Sequence, residues 1–267
     1  GPSTGLPTKT EQSDLLQALY SRHGDCPLPI LAAHSPSDCF DVAIEAARIA
    51  LTYMTPVILL SDLYVANGAE PWRVPNVADL PVIENSFASP EEEYVIYRRD
   101  QETLARSQAI PGQVGLEHRI GGLEKGEDGG VSYDPDNHEE MSHLRAQKVE
   151  GIAKSFDPIK INGDQEGDLL VIGWGGTYGA ISSAVKNLRD EGFSVSSIHL
   201  RHLNPLPDDL GDILSRFKKV IVPELNLGQL NMVLRAKYLV DIISYGKLQG
   251  KPFKVSELRE KFLEYLG

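Results

Sequence analysis

Pro29-Ile-Leu-Ala-Ala33 and Pro56-Val-Ile-Leu-Leu60 are two short apolar runs that bracket a helical segment, and this stretch decides the fold. Short apolar runs bounded by turn residues are typical of buried strands. Between them, Ser35 suits an N-cap, Pro36 suits the first helical turn, and Asp38 places negative charge where the helix dipole favours it. Apolar residues then repeat along one helical face: Phe40, Ala43, Ile44, Ala47, Ala50, Leu51 and Met54. Strand, helix and strand in this order predict a parallel sheet with a right-handed crossover.

The C-terminal part of the chain repeats this alternation. The pattern predicts strands at Asp168–Gly173, Ser194–Leu200 and Lys219–Pro223. It predicts helices at Ala180–Glu191, Asp208–Phe217 and Gln229–Tyr238. We therefore expect a second α/β domain, an open sheet with helices on its faces.

Proline, glycine and charged residues dominate the segment between these two parts. A structureless loop of that length is improbable in a compact protein, so we predict an ordered connector. Its last element is a predicted helix over residues 138–155 with Asn137 as its cap. The chain is thus divided into residues 1–66, a connector over 67–163, and residues 164–267.

The overall composition excludes several classes of protein. The formal net charge of −12 argues against binding to a nucleic-acid backbone, which requires a basic surface. No stretch approaches the roughly 20 apolar residues of a bilayer span, and the N-terminus shows no basic region followed by an apolar one. We therefore expect a cytoplasmic protein that binds neither nucleic acid nor a membrane.

The chain holds two cysteines, Cys26 and Cys39. An iron–sulfur cluster typically needs four thiolates, so any cluster that serves this protein is expected on another polypeptide or another region. The chain also contains no phosphate-binding loop of the Gly-x-x-x-x-Gly-Lys-Ser/Thr type, no His-Glu-x-x-His helix and no Gly-x-Ser-x-Gly elbow. These absences leave the NTPase, zinc-protease and hydrolase interpretations without support from a motif.

The first residues, Gly1-Pro-Ser-Thr-Gly-Leu-Pro-Thr-Lys-Thr-Glu-Gln12, carry hydroxyls and backbone N–H groups with almost no apolar surface. Such a stretch packs no core by itself, but it can present donors to a carboxylate or a phosphate. We expect a site loop from the middle of a longer protein, with the upstream half outside this chain.

Six motifs in order along the chain resemble the alpha subunit of the 2-oxoacid:ferredoxin oxidoreductases. The loop Gly1–Thr8 followed by Gln12 and Asp14 is similar to that family's GPSTGLPTxxxQxDL signature, most of all in the 2-oxoglutarate type. The other five are His34-Ser-Pro-Ser-Asp-Cys-Phe40, Leu59-Leu-Ser-Asp62, Gly115-Leu-Glu-His118, Ser132-Tyr-Asp-Pro135 and Pro223-Glu-Leu-Asn-Leu-Gly-Gln-Leu230.

The resemblance implies an α/β fold in three parts. These are the second half of a thiamine-enzyme pyrimidine-domain-like parallel sheet, an ordered connector, and an open domain like the C-terminal domain of transketolase. It implies CoA-dependent oxidative decarboxylation of 2-oxoglutarate to succinyl-CoA with reduction of ferredoxin, or the reverse reaction. The upstream half is expected to carry the activating Glu, so we expect this segment alone to be inactive and to hold no certain catalytic residue.

The resemblance also implies the cofactors and partners. Thiamine diphosphate with Mg²⁺ and a [4Fe-4S] cluster are expected mainly on a beta subunit, with CoA as co-substrate and no metal ligand in this chain. The implied assembly is a heterotetramer of two alpha and two beta subunits that reduces ferredoxin. The residues expected near the thiamine diphosphate and the 2-oxoacid are Ser3, Thr4, Gly5, Leu6, Pro7 and Thr8. Lys9 either pairs with a distal carboxylate of the substrate or is an ordinary solvated lysine.

His34 follows the first predicted strand and precedes a helix, which is where ligands lie in open parallel sheets. It can serve in proton transfer at a binding site or simply hold the turn by hydrogen bonds. Ser61-Asp62 occupies the equivalent position after the next predicted strand. We expect this pair either to contact a ligand or to cap the next helix. Glu224 and Asn226 follow a later predicted strand in the same way. We expect them either to contact a ligand or a neighbouring subunit, or, for Asn226, to cap the next helix.

Three rival functions stay open at this point. One changes the substrate to pyruvate or a branched-chain 2-oxoacid, and another makes the chain a non-catalytic assembly subunit. The third is a nicotinamide dehydrogenase, suggested by Gly173-Trp-Gly-Gly-Thr-Tyr-Gly179. That motif is incomplete, and the next strand, Ile198-His-Leu-Arg201, ends without the acidic residue that would bind ribose. A tight turn with close backbone packing explains the glycines better.

Overall fold

The computed structural model describes residues 10–83 and 85–266. A first sheet has the strand order β2-β1-β5, formed by Ile58–Leu60, Ile30–Ala32 and His202–Asn204. Strands β1 and β2 are parallel, with Ile30 opposite Ile58, and helix α2 (Asp38–Thr52) connects them as predicted. Strand β5 pairs antiparallel with β1 and comes from the distant C-terminal part. The pattern did not predict it, because three residues with alternating polarity give too short a signal.

The second sheet has four parallel strands in the order β4-β3-β6-β7. They are Val195–Leu200, Gly167–Trp174, Phe217–Glu224 and Ile242–Gly246. The central strand β3 carries Leu169, Leu170, Val171 and Ile172, all fully buried, since helices cover both faces of the sheet. The predicted strand–helix alternation is confirmed here, whereas β7 and the last helix α8 (Val255–Leu266) were not predicted.

Two apolar clusters form the core on the two faces of the second sheet. One joins Leu169 and Val171 to α5 (Tyr178–Asp190) and α8. The other joins Leu170 and Ile172 to α6 (Leu210–Ser215), α7 (Gln229–Tyr238) and α1 (Leu15–Tyr20), and it includes Ile30 of the first sheet. The first sheet therefore packs against the C-terminal part through a shared core.

Helix α4 (Pro135–Gly151) ends the connector and continues into a 3₁₀ turn, Ile152–Ser155. The predicted cap, Asn137, is wrong. The Asp134 side chain instead accepts a hydrogen bond from the Asp136 N–H at 3.0 Å, because Pro135 suits the first helical position and starts the helix three residues earlier. Shorter helical elements are α3 (Leu63–Asn67) and the 3₁₀ turns Val77–Asp79 and Gly175–Thr177.

Other element ends shift by small amounts. Helix α2 begins at Asp38 rather than Pro36, although Ser35 Oγ still accepts a bond from the Asp38 N–H at 3.3 Å. Helix α6 is shorter than predicted because β6 already begins at Phe217, while α7 matches its predicted ends. Across residues 10–83 and 85–266, we find no helix with the length and apolar character to span a bilayer.

Candidate functional site at the carboxyl ends of the strands

Gln12 anchors the segment that follows the Gly1–Lys9 loop. Its side chain is buried and its backbone adopts φ 47°, a left-handed conformation that is costly for a residue with a side chain. Its Nε2 donates to the Trp174 carbonyl at 2.7 Å, and its Oε1 accepts from the Leu225 N–H at 2.8 Å. Asn226 Nδ2 donates to the Gln12 carbonyl at 2.9 Å. Gln12 thus ties the loop to the ends of β3 and β6 together.

Gln229 strengthens the same attachment from the first turn of α7. Its Nε2 donates to the Ser13 carbonyl at 2.8 Å, and its Oε1 accepts from the Leu16 N–H at 3.1 Å. The N-terminal motif and the Pro223–Leu230 motif therefore fold onto each other, although Gln12 and Leu225 are 213 positions apart.

Glu224 is the buried acceptor at the centre of this attachment. Its carboxylate accepts from the backbone N–H groups of Leu230 at 2.8 Å and Asn231 at 3.1 Å, from Trp174 Nε1 at 3.2 Å and from Asn226 Nδ2 at 3.1 Å. Burial raises the pKa of Glu224, and these donors oppose the rise by favouring the charged carboxylate.

Asn226 acts as a cap for helix α7. Its Oδ1 accepts from the N–H groups of Gly228 at 2.7 Å and Gln229 at 3.0 Å. The capping interpretation of Asn226 accounts for these bonds, and the ligand interpretation is not needed to explain a buried amide here.

Asp62 connects the end of β2 to the glycine turn after β3. It caps α3 by accepting from the Val65 N–H at 2.9 Å, and its Oδ2 accepts from the Gly176 N–H at 2.7 Å. A Cβ on Gly176 would lie 2.6 Å from Asp62 Oδ2, and one on Gly173 would lie 2.7 Å from Ile181 Cδ1. Close packing thus explains the glycines of the Gly173–Gly179 turn, and the nicotinamide interpretation loses its sequence basis.

We call this set of contacts the motif junction. It consists of Glu11, Gln12, Asp62, Trp174, Gly176, Glu224, Asn226 and Gln229. The Glu11 carboxylate belongs to it because it accepts from the Leu63 N–H at 2.9 Å. Sequence reasoning named several of these residues separately, but nothing in their spacing indicated that they meet.

His34 lies where predicted, between β1 and α2. Its Nδ1 is 2.6 Å from Asp38 Oδ2, and its backbone N–H donates to the same oxygen at 3.0 Å. Asp38 also pairs with Arg201 at the end of β4. Burial alone would raise the pKa of Asp38, but the hydrogen bonds from His34 and the charge of Arg201 lower it below its usual value. These bonds fit the turn-holding role of His34, and its role in ligand binding stays a prediction.

His34, Tyr178 and His199 form a cluster of rings that we call the histidine cluster. Ring centroids lie 4.5 Å apart for His34–Tyr178, 5.1 Å for Tyr178–His199 and 5.5 Å for His34–His199. The cluster lines an open groove of about 760 Å³. Sequence reasoning missed Tyr178 and His199; the signal that could have found His199 is its place near the carboxyl end of a predicted strand.

Both ring nitrogens of His199 are buried, and neither has a hydrogen-bond partner within the described part of the chain. This burial lowers the pKa of His199 to about 3, with a further contribution from the neighbouring His34. His199 is therefore neutral near pH 7.

The predicted binding residues Ser3, Thr4, Gly5, Leu6, Pro7, Thr8 and Lys9 lie outside the described residues. The structure shows only where their loop is attached. That attachment point is next to a small cavity of about 20 Å³, lined by Thr10, Ala33, Ser61 and Trp174 among others.

The described residues at this edge do not suit a thiamine diphosphate and its Mg²⁺. The cavity of about 20 Å³ has room for about one water, and its lining residues include no lysine or arginine for a diphosphate. Residues 10–83 and 85–266 also contain no group of three His, Cys, Asp or Glu placed to hold a metal ion. Cys26 and Cys39 are both free thiols.

Comparison with known proteins places this architecture in a class. Residues 1–130 match the family model described as pyruvate flavodoxin/ferredoxin oxidoreductase, thiamine diphosphate-binding. Residues 167–258 match the model of pyruvate:ferredoxin oxidoreductase core domain II. The first model covers strands β1 and β2, and the second covers the four strands of the second sheet together with β5.

Individual relatives narrow the class. The chain is 55% identical to the 2-oxoglutarate oxidoreductase subunit KorA of Mycobacterium tuberculosis, over 97% of this chain and 40% of that protein. It is 30% identical to the 2-oxoglutarate synthase subunit KorA of Methanocaldococcus jannaschii, over 98% of this chain and 70% of that protein. The structure of 2-oxoglutarate:ferredoxin oxidoreductase from Magnetococcus marinus, with 2-oxoglutarate, coenzyme A and succinyl-CoA bound, matches with a TM-score of 0.91 and 33% identity, over 100% of this chain and 47% of that chain.

The chain therefore belongs to the family of 2-oxoacid:ferredoxin oxidoreductase alpha subunits. The resemblance stated from the six motifs is confirmed, and so is the α/β fold class with parallel sheets. The chain spans 40% of the length of the M. tuberculosis relative and 47% of the M. marinus chain.

Proposed function

We propose that this chain is part of the alpha subunit of a 2-oxoglutarate:ferredoxin oxidoreductase. The reaction is the CoA-dependent oxidative decarboxylation of 2-oxoglutarate to succinyl-CoA and carbon dioxide, with two electrons passed to ferredoxin, or its reverse. The names of the M. tuberculosis and M. jannaschii relatives and the ligands of the M. marinus structure support 2-oxoglutarate over pyruvate or a branched-chain 2-oxoacid.

In this proposal the loop Gly1–Thr8, with Lys9 and His34, contacts the substrate or the thiamine diphosphate. The observation that carries it is the anchoring of Gln12, which fixes the end of this loop against β3 and β6 by three hydrogen bonds. A loop tied at a buried point can hold hydroxyls in a set geometry, and misplacement by about 1 Å can cost a hundredfold in rate.

The same proposal assigns the domains and partners. Residues 1–66 form the second half of a thiamine pyrimidine-binding domain, 67–163 the connector and 164–267 the C-terminal-like domain of transketolase. In the same proposal a beta subunit holds the diphosphate, Mg²⁺ and the [4Fe-4S] cluster in a cytoplasmic heterotetramer, as the resemblance to the family implies. When bound, thiamine diphosphate supplies the electron sink for decarboxylation.

The test is turnover of the complete alpha–beta enzyme with CoA and ferredoxin, for 2-oxoglutarate, pyruvate and a branched-chain 2-oxoacid. We expect kcat/KM to be highest for 2-oxoglutarate, and to fall about a hundredfold in Thr4→Val and Thr8→Val. Thr52→Val, in helix α2, serves as the matched control and should leave turnover unchanged.

The alternatives give different results. Preference for pyruvate would change the substrate while keeping the class. Unchanged turnover in both loop variants would make this chain a scaffold, and absence of 2-oxoacid-dependent ferredoxin reduction would contradict the proposal.

A further inference from the structure

The connector contains two arginines that face each other across an isolated antiparallel bridge, Arg99 and Arg106. The turn between them is closed by a hydrogen bond from the Asp100 N–H to the Ala105 carbonyl at 2.8 Å. Residues directly opposite on an antiparallel pair project to the same side, and like charges in that position are destabilising. The guanidinium carbons of Arg99 and Arg106 lie 6.0 and 5.5 Å from the centre of the Tyr97 ring, so both cations contact the same aromatic ring.

Lys148, on helix α4, adds a third cation at the same place. Tyr97, Arg99, Arg106 and Lys148, with Met54 and Leu104, line a cavity of about 140 Å³ that we call the basic cavity. Lys148 is half-buried, and burial followed by repulsion from Arg99 and Arg106 lowers its pKa to about 8. The three charges are thus close enough to act on one another.

In the described part of the chain these cations make no close ion pair, and Glu140 and Glu127 act on Arg99 only from a longer distance. Within the described residues, none of the three has a carboxylate oxygen within 4.0 Å. Arg99 instead donates to the Tyr97 carbonyl at 3.3 Å and to Met141 Sδ at 3.2 Å. Arginines elsewhere, such as Arg145 and Arg189, each meet a carboxylate at 2.7 and 2.9 Å. Three unpaired cations in a protein of net charge −12 are not explained by a shortage of acidic residues.

The backbone around the basic cavity is also strained. Met54 and Leu104, which form its apolar walls, have φ values of 49° and 52°. Met54 follows helix α2, where a left-handed residue is common and the Thr55 N–H donates to the Ala50 carbonyl at 3.2 Å, so the unusual conformation is that of Leu104. Strain and like-charge repulsion in one place indicate that the arrangement is kept for something other than stability.

We propose that the basic cavity binds a tetrahedral oxyanion, the phosphate group of a soluble ligand. Guanidinium groups bind phosphate oxygens in a fork with two parallel bonds, and a lysine adds a compact charge. The cavity of about 140 Å³ is several times the roughly 10–15 Å³ that one water requires, so a phosphate group fits beside the three cations. This inference does not depend on the proposed function.

The test is calorimetric titration of the full-length protein with inorganic phosphate at low ionic strength. We expect saturable binding that weakens about tenfold or more in Lys148→Met and in Arg106→Gln, because each removes a charge-assisted bond. Lys154→Met, an exposed lysine six residues further along the chain, is the matched control and should bind phosphate as the unmodified protein does.

A second measurement on the unmodified protein covers the case in which a variant fails to fold. Lysine acylation followed by mass spectrometry should show Lys148 modified without phosphate and protected at saturating phosphate, with Lys154 equally reactive in both. Absence of saturable binding, or binding unaffected by both variants, would overturn the proposal, as would unchanged Lys148 reactivity.

A third arm identifies the source of the phosphate. Competition by CoA but not by its 3′-dephospho form would assign the site to the 3′-phosphate of CoA. Competition by neither would assign it to free phosphate or another phosphorylated ligand.

Discussion

The motif junction is a buried polar region and the basic cavity is a half-buried one, and their polar groups are bonded in opposite ways. In the motif junction the buried carboxylate of Glu224 receives four donors, and the amide of Gln12 is bonded at both its nitrogen and its oxygen. In the basic cavity, Arg99, Arg106 and Lys148 approach one another with no carboxylate to pair with them in the described residues.

This difference indicates that the motif junction has a structural role and that the basic cavity has a role in binding an anion. A satisfied buried network is rigid and specifies one arrangement, so the motif junction acts by positioning the loop that it holds. Unpaired charges in a half-buried cavity lower the stability of the fold until an anion neutralises them. The role of the basic cavity is therefore to bind an anion. The comparison predicts that substitutions destabilise the first region and stabilise the second.

The largest effect is expected from Glu224→Leu. The substitution keeps the volume roughly constant but leaves four donors without an acceptor, so unfolding free energy should fall by about 3–4 kcal/mol. Urea denaturation measures this change. Glu166→Leu, at an exposed glutamate, should stay within about 0.5 kcal/mol; an equal loss in the two variants would show that Glu224 has no special role.

Gln12→Ala should cost about 2–3 kcal/mol, because the Leu225 N–H and the Trp174 carbonyl both lose their partner. Gln17→Ala, at an exposed position of α1, is the control and should change little. In the complete enzyme, Gln12→Ala should also lower kcat/KM, since the loop loses its anchor. If the Gln12→Ala enzyme is destabilised but fully active, the motif junction stabilises the fold without contributing to turnover.

The histidine cluster sharpens the comparison because the two ring nitrogens of His199 are buried, yet the ring is uncharged near pH 7. Its pKa is about 3 in the folded chain against an ordinary 6.5, so between these values the unfolded chain binds more protons. Stability should therefore fall as the pH drops below about 6.5, by up to about 1.4 kcal/mol per pH unit.

Urea midpoints between pH 7 and pH 5 measure this effect. That range avoids Glu45, whose carboxylate has a pKa of about 2 and adds its own loss only below its ordinary 4.5. His199→Gln should flatten the dependence and His23→Gln, at an exposed histidine, should preserve it. An unchanged slope in His199→Gln would contradict the assignment.

The smallest expected change in unfolding free energy is an increase, whereas the changes above are decreases. Lys148→Met should raise the unfolding free energy by about 0.5–1 kcal/mol at low salt, because it removes repulsion from Arg99 and Arg106. The gain should shrink as salt screens the charges of the unmodified protein. Thermal unfolding at two salt concentrations tests it, with Lys154→Met as control; a destabilised Lys148→Met variant would mean that the lysine is held by contacts rather than repelled.

The sequence predicted the elements whose apolar residues follow a regular pattern. Buried runs such as Asp168–Gly173 indicated parallel strands, and the helical spacing after Gln229 gave both ends of α7. It failed for β5 and β7, whose segments His202–Asn204 and Ile242–Gly246 are short and partly polar, so that pairing with a neighbour, not periodicity, makes them strands.

The candidate site was predicted in pieces. His34, Asp62 and Asn226 were each placed at a strand end and Gly1–Gln12 was predicted as a site loop, but contacts across 213 positions leave no local pattern. The basic cavity was missed for the same reason, since Lys148 meets Arg99 and Arg106 only through the fold of the connector.

Amide hydrogen exchange at Leu225 tests the motif junction most directly, because Leu225 lies just beyond β6 and its N–H donates to the Gln12 side chain. In the unmodified protein the Leu225 amide should be protected. In Gln12→Ala it should exchange at least about tenfold faster, while the amide of Val171 in the central strand keeps its protection. Equal exchange of Leu225 in the two proteins would contradict the claim that Gln12 joins the N-terminal loop to the C-terminal sheet.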